Sequence, residues 1–534
     1  MNTKQFIWTL LSIFLFVPTL EAKLYYVTSK GDDSHTGTSV QEAWKSLNKA
    51  SSFTFNCGDS LLFQSGETFL GTLEVKKAIK NNERTFYIGS IGKRKATIQA
   101  GLNNGIFIHN TGGVVIDNLE LIGAGSQTNQ GRGIYCLNDC PGKVRFANII
   151  IKNVDVSGFR WAGIYVGGVP TDLAHGIIAP DGSRFGFENV TIANCRAFDN
   201  CYYGIHLSAA YTPEMNDYGN CNIIITKCQA YNNSGDPTYL TNHSGSGIMV
   251  DDSRKVTVNY CKAWNNGFLN PSNGGGPAGI WSHVSDSVTI AYCESFANKT
   301  NSTKDGAGFD LDAGMTNSVI EYCFSHHNYG AGYLNYSYPD APKMWNYNII
   351  RNCISLNDGL KNDYAAIYLG TDGCNQTNAS FYNNTLINTI ASKQFAGGIL
   401  CYNNSAGGRN SNLILSNNFI VTCDAFPLMA LSETDSALII SGNVLLNLEN
   451  QAILKTSRKA TISFQTWQEA QRKNNQTPDI LINSNTGLKN QIDALISSDK
   501  ISADKQIAEL NQWIERQTKR KNIGAGKFSL NPKE

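Results

Sequence analysis

Past residue 22 the sequence has no apolar run long enough to cross a bilayer. It has no surplus of positive charge either, since 44 Lys and Arg stand against 43 Asp and Glu, a formal net charge of +1. A phosphate polymer selects a basic face, so nucleic acid is excluded as the expected partner. No cysteine stands directly after Ala22, so nothing there suggests a lipid anchor. Residues 1–22 carry Lys4, an apolar run from Phe6 to Val17, and the small Ala22 before Lys23. That is the layout of a cleavable signal peptide rather than a retained anchor. A secreted or periplasmic protein with no membrane span is expected, as a monomer.

What the sequence does have is a repeat. Cys195, Cys228, Cys261, Cys293, Cys323 and Cys353 follow one another at gaps of 33, 33, 32, 30 and 30 residues. Each opens a similar phrase, such as Cys228-Gln229-Ala230-Tyr231-Asn232-Asn233 or Cys261-Lys262-Ala263-Trp264-Asn265-Asn266. A second phrase interleaves with it: Gly204-Ile205-His206-Leu207, Gly247-Ile248-Met249-Val250, Gly279-Ile280-Trp281-Ser282, Gly308-Phe309-Asp310-Leu311 and Gly332-Tyr333-Leu334-Asn335. Both alternate in and out and are too short for helices, so each reads as a strand. Units of this length, with two or three strands and no helix, stack as rungs of a parallel β-helix.

Degenerate copies extend the coil outward, through Leu119 and Val154 at the cysteine position upstream and through Leu415 to Phe419 downstream. Those substitutes show that the position wants an inward apolar group, so the cysteines read as buried free thiols. Cys136 with Cys140, or Cys201 with Cys221, are better placed for disulfides. The asparagines at 200, 233, 266, 298 and 328 read as a structural amide ladder. The expected organisation is a signal peptide over 1–22, an N-terminal cap over 23–59, the β-helix over 60–450 and a C-terminal cap or helical tail over 451–534. Ala43, Trp44, Leu47 and Ala50 predict a capping helix across 39–51. Phe464, Trp467, Ala470 and Gln471 predict a second helix, and Ile507, Leu510, Trp513 and Ile514 a third, close to a Lys/Arg-rich stretch.

The stretch Tyr25-Tyr26-Val27-Thr28-Ser29-Lys30-Gly31-Asp32-Asp33, with Gly37-Thr38, Ala43-Trp44, Ser46-Leu47 and Gly58-Asp59-Ser60-Leu61, resembles the entry segment of bacterial right-handed parallel β-helix proteins of the pectate-lyase-like superfamily. With the coil phrases, the resemblance covers most of the chain. It implies an all-β right-handed parallel β-helix with a carbohydrate polymer or oligosaccharide along one face. It does not choose between hydrolase, lyase and epimerase.

The alternation supplies the site. In the second phrase the first and third residues after glycine point inward, and the second and fourth point out. Outward second positions are His206, Met249, Trp281, Asp310 and Leu334; outward fourth positions are Ser208, Asp251, His283, Asp312 and Tyr336. Asp310, Asp312, Asp251 and His283 are therefore the candidate catalytic group, and Trp281, Tyr336, Asn335 and His243 the candidate sugar-binding residues. Alternate residues on a strand lie about 6 to 7 Å apart, and carboxyl pairs some 6.5 to 9.5 Å apart suit an inverting glycosidase. Crowded carboxylates raise one pKa, as a general acid requires. Asp252, at a tight turn, and the loop from Thr212 to Asn222 are assigned to structure and to the groove border respectively, as is Asp199 to the border.

A glycoside hydrolase needing no cofactor is the expectation. The alternative is a Ca²⁺-dependent polysaccharide lyase, in which Asp305, Asp310 and Asp312 supply hard oxygen ligands. Gly308-Phe309-Asp310-Leu311 resembles the calcium strand of one pectate lyase family, but Trp281 and Leu334 stand where such a site needs a further acid and a lysine. A non-catalytic glycan-binding β-helix is the third reading.

Overall fold

The computed structural model describes residues 21–75, 85–169, 185–210, 217–339, 341–390, 397–403, 407–424, 426–432, 434–451, 453–455, 461–496, 502–518 and 523–532. Most of the expected signal peptide, residues 211–216 of the groove-border loop and the Lys/Arg-rich stretch after residue 518 lie outside those residues.

Each repeat contributes short strands that pair in parallel with the same strands one rung along, so the chain builds three sheets of 15, 14 and 14 strands. The cysteine phrase supplies one sheet, through Arg196–Phe198, Gln229–Tyr231, Lys262–Trp264, Glu294–Phe296 and their successors. The glycine phrase supplies another, through Tyr203–Ser208, Ser246–Asp251, Ala278–His283, Ala307–Leu311 and Tyr333–Ser337. Inward residues stack into one continuous apolar core, in which Ile205, Ile248, Ile280, Phe309 and Tyr333 occupy successive rungs. The glycines are there for lack of room. A Cβ on Gly247 would stand 2.3 Å from the Gly279 carbonyl oxygen and 3.0 Å from the Asn266 amide nitrogen.

The two ladders hold the turns. Asn233, Asn266, Asn298 and Asn328 are buried, and the Nδ2 groups of Asn233, Asn266 and Asn298 each donate to the next Oδ1 at 2.9 Å. Asn328 Nδ2 ends the row on Asp358 Oδ1 at 2.8 Å. Every one of these amides also reaches a main-chain carbonyl, as Asn266 Nδ2 does at Ala230 O (3.1 Å), so buried turn groups are satisfied rung after rung. The six ladder cysteines are fully buried and free, with thiols donating locally to carbonyls such as Thr226 O (3.3 Å) from Cys228. Downstream the cysteine position passes to Asn384, Asn418 and Asn443, which accept from the preceding backbone N–H at 3.0 Å each.

Several expectations are corrected. All fourteen cysteines are free, including Cys136, Cys140, Cys201 and Cys221. Cys136 alternates inward into the coil core between Ile108 and Val166, where it is screened from the partly exposed Cys140. The N-terminal helix, α1, spans only Leu47–Ser52, because Ser46 caps it by accepting from Lys49 N–H. Trp44 is buried, but its backbone is extended and bridges Val27. The 15-strand sheet already begins at Leu24–Val27, and the last paired strand is Ile480–Ile482, so strands run beyond 60–450 at both ends. α2 (Phe464–Lys473), α3 (Thr486–Ile496) and α4 (Ala503–Thr518) follow the coil. α2 packs Trp467 onto the end of the core. α3 and α4 instead lie along the flank, burying Leu510, Trp513 and Ile514 against Phe419, Val421 and Leu446 of the cysteine-phrase sheet. That leaves the glycine-phrase sheet uncovered by the tail.

Candidate active site

On that sheet the register places His206 beside Met249, Met249 beside Trp281, Trp281 beside Asp310 and Asp310 beside Leu334. Asp251 pairs with His283 in the parallel column, and Asp312 enters the next rung with its N–H on the Ser282 carbonyl (2.9 Å). These two columns floor a cavity of about 1110 Å³. The long loops after Asn233, Asn266 and Asn298 raise one wall, bringing in Thr241 to His243, Asn273 to Gly276 and Thr303 to Asp305. The loops brace each other, with Thr303 Oγ1 donating to Asn273 Oδ1 at 2.8 Å and Ser272 Oγ to Leu240 O at 3.1 Å.

Asp310, Asp312, Asp251, His283, Trp281, Tyr336, His243 and Asp305 all line this one cavity. Asn335 does not. As the third residue after Gly332 it turns inward between Leu311 and Leu369, fully buried, its Nδ2 donating to the Tyr333 and Tyr368 carbonyls. Asp199 also lies away from the cavity lining. Asp252 is structural as expected: it is fully buried, with φ +43, and accepts from Gly219 N–H at 3.0 Å.

The electrostatics separate the carboxyls. Asp310 is only 5% exposed and its Oδ1 has no hydrogen-bond partner. Burial, then the charges of Asp312 and Asp305, holds its pKa well above the usual carboxylate range. Asp312 is pushed up by burial to about 6, with His283 pulling the other way. Asp305 is raised by burial too, but both its oxygens are engaged, Oδ1 by the Tyr364 hydroxyl (2.7 Å) and Oδ2 by Gly276 N–H (2.8 Å). Asp305, the metal candidate, thus has both oxygens engaged within the protein, and among the described residues no three His, Cys, Asp or Glu side chains gather as a metal site.

His283 is held at both nitrogens, Nδ1 against Asp251 Oδ1 (3.2 Å) and Nε2 against the Tyr338 hydroxyl (2.6 Å). Ser208 Oγ donates to Asp251 Oδ2 at 3.0 Å. Burial disfavours the imidazolium, yet the hydrogen bond and charge of Asp251, with Asp312 behind, leave the pKa of His283 raised. Tyr338, Tyr364 and Arg132 are lining residues that the repeat phrases gave no reason to select.

The family model described as right handed beta helix region matches residues 85–218 and 173–343. The chain folds as a right-handed parallel β-helix. Among solved structures it is similar to the GH136 lacto-N-biosidase from Eubacterium ramulus, in its selenomethionine and native forms. Identity is 16% to both, with TM-scores of 0.52 and 0.51, over 79% of this chain and 67% and 68% of theirs. It is also similar to pectate lyase Pel9A, at 15% identity and TM-score 0.39 over 63% of this chain and 77% of that one. At 16% identity the likeness to the lacto-N-biosidase is one of fold. No curated protein matches the sequence.

Proposed function

We propose that this right-handed β-helix protein is a carbohydrate-active enzyme, a glycoside hydrolase in which Asp310 is the general acid and Asp312 the general base. The observation that carries the reading is the pairing of a buried carboxyl in the cavity lining, its pKa held well above the usual carboxylate range, with a second carboxyl just past the end of the same strand whose pKa stands at about 6. Asp310 delivers its proton to the glycosidic oxygen as the bond to the anomeric carbon breaks. Asp312 takes a proton from the attacking water, whose oxygen bonds to that carbon from the opposite side. Extended backbone positions two residues apart lie about 6.5 Å from one another, a spacing compatible with the carboxyl separation of an inverting glycosidase, which leaves room for water. His283, fixed by Asp251 and Tyr338 and with its pKa raised, opposes the upward push of burial on Asp312.

Support also comes from a fold shared with a lacto-N-biosidase. The cavity favours a neutral glycan: Asp251, Asp305, Asp310, Asp312, Asp363 and Asp372 face only Arg132 and Lys304 as Lys or Arg lining groups among the described residues. A polyuronate would meet net repulsion there, which disfavours the lyase alternative. The reading needs no metal, and the leader-like residues 1–22 extend it to an enzyme acting as a secreted or periplasmic monomer.

The test is a screen of neutral plant, algal and host glycans for new reducing ends, followed by Asp310→Asn and Asp312→Asn. Each variant should lose at least about a hundredfold in turnover without loss of folding. Full activity in both, or products bearing an unsaturated uronate chromophore, would overturn the assignment.

A further inference from the structure

Upstream of Asp310 the cavity floor continues for three more rungs, and its chemistry there is unaccounted for by acid–base catalysis. In coil order the floor residues are His206, Met249, Trp281 and Asp310. Rungs are about 4.8 Å apart, which places His206 roughly 14 Å from Asp310, more than one pyranose ring away. Three of these cavity-lining side chains are over nine-tenths buried, and each has a buried polar atom with no partner inside the protein: His206 Nε2 (7% exposed), Trp281 Nε1 (3%) and Asp310 Oδ1 (5%). Buried polar atoms in a folded protein are hydrogen-bonded as a rule, and those without an internal partner at a cavity wall point to a ligand or solvent that supplies it. Met249 separates His206 from Trp281 with an apolar surface.

The His206 ring is fixed for such a role. It stacks on Tyr203 at 4.0 Å between centroids and meets Tyr165 edge-on at 5.3 Å. Trp281 is braced by His243, edge-to-face at 4.8 Å. His206 is also kept uncharged. Burial lowers its pKa to about 3; Asp251 opposes this, while Arg132 and His243 reinforce it. An uncharged imidazole nitrogen, an indole N–H and a methionine surface between them match the hydroxyl rim and C–H face of a sugar ring.

We propose that His206 and Trp281 form a sugar-binding subsite at the far end of the cleft, with His206 its specificity-determining residue, so that the enzyme prefers neutral oligosaccharides long enough to run along the coil axis from Asp310 to His206. The inference rests on the glycoside hydrolase reading for the orientation of the chain, but its own observable is length-dependent binding, which needs no turnover.

The experiment uses the full chain carrying Asp310→Asn, probed with a printed array of neutral oligosaccharides graded from mono- to hexasaccharides, and then with the best binder in solution by tryptophan fluorescence. Binding should rise with length. His206→Phe, which keeps the ring stack and removes Nε2, should weaken the longest ligands about three- to tenfold, and His206→Gln, which restores a polar atom, should recover part of that. Trp281→Phe should weaken the same ligands. In the otherwise wild-type chain, His206→Phe should raise KM on long substrates with kcat little changed. Thermal melting of each variant controls for folding. Length-dependent binding lost in His206→Phe, in an enzyme that cleaves none of the array, would uphold the subsite and overturn the hydrolase reading. Cleavage with long-chain KM unmoved by both His206→Phe and Trp281→Phe would do the reverse. Array binding absent altogether, or indifferent to length, also overturns the subsite.

Discussion

Asp312→Asn should make the protein more stable at neutral pH while removing its activity. The folded chain holds Asp312 at about 6 against an ordinary value of 3.8, chiefly through burial. A difference of roughly two units corresponds to about 3 kcal/mol. Below pH 3.8 the carboxyl is protonated in the folded and unfolded states alike, so it carries no penalty. As pH rises towards 6 the unfolded chain releases its proton while the folded chain keeps it, and folding becomes progressively less favourable. Above pH 6 the whole penalty is in place. Asparagine is nearly isosteric and does not titrate, so the variant should match the wild type near pH 3.5 and exceed it by up to about 3 kcal/mol at pH 7. Urea unfolding followed by fluorescence at pH 3.5, 5 and 7 would measure the difference. A variant equally or less stable at pH 7, or one whose advantage does not grow between pH 4 and 6, would show that the site does not strain this carboxylate and would remove the electrostatic basis of its role.

Three further outcomes follow from the same contacts. His283→Gln removes the imidazole that lowers the pKa of Asp312, so that pKa should rise and the acid limb of the kcat/KM profile should move to higher pH, by the order of one unit; an unmoved limb would detach His283 from the base. Asn266→Ala strips partners from the Asn233 amide and backbone N–H and from the Ala230 carbonyl, all buried, and should cost about 3–5 kcal/mol in chemical denaturation, whereas a loss under 1 kcal/mol would deny the ladder its structural part. Cys228 and Cys261, whose thiol pKa values burial drives well above normal, should resist an aromatic disulfide reagent at pH 8 until urea opens the coil, and rapid labelling of the native protein would contradict the packing.

The coil was legible because its physics is periodic. Cys195 to Cys353 and Asn200 to Asn328 recur once per rung, and each copy meets the same requirement: an inward apolar group, or a buried amide that satisfies a turn. What one rung needs, the sequence repeats, and so the register that pairs Asp251 with His283 and Trp281 with Asp310 follows from counting. The ends do not repeat, and there counting failed. Trp44 and Leu47 have helical spacing, yet Ser46 between them is better used as an N-cap, which confines α1 to the residues after it. α3 and α4 settle on the flank because Phe419, Val421 and Leu446 present an outward apolar stripe, visible only once neighbouring rungs are assembled.

The site divides along the same line. Residues on its floor stand in strands, and alternation placed Asp310, Asp312, Asp251, His283 and Trp281 correctly on one surface. The same alternation puts Asn335 inside, so selecting it for sugar binding set its polar character above its position. Residues that come from beyond the strands carry no period. Tyr338 lies five residues before Lys343 in a connection, and only the folded chain brings its hydroxyl to His283 Nε2. Tyr364 reaches Asp305 across 59 residues, and by occupying that carboxylate it separates Asp305 from the other two acids of its strand region. The consequence for chemistry is specific. A sequence can show three acids within eight residues, but which of them has its oxygens taken up by hydrogen bonds is decided by loops that approach from other rungs, and in this coil they engage Asp305 and leave Asp310 and Asp312 in the cavity lining with raised pKa values.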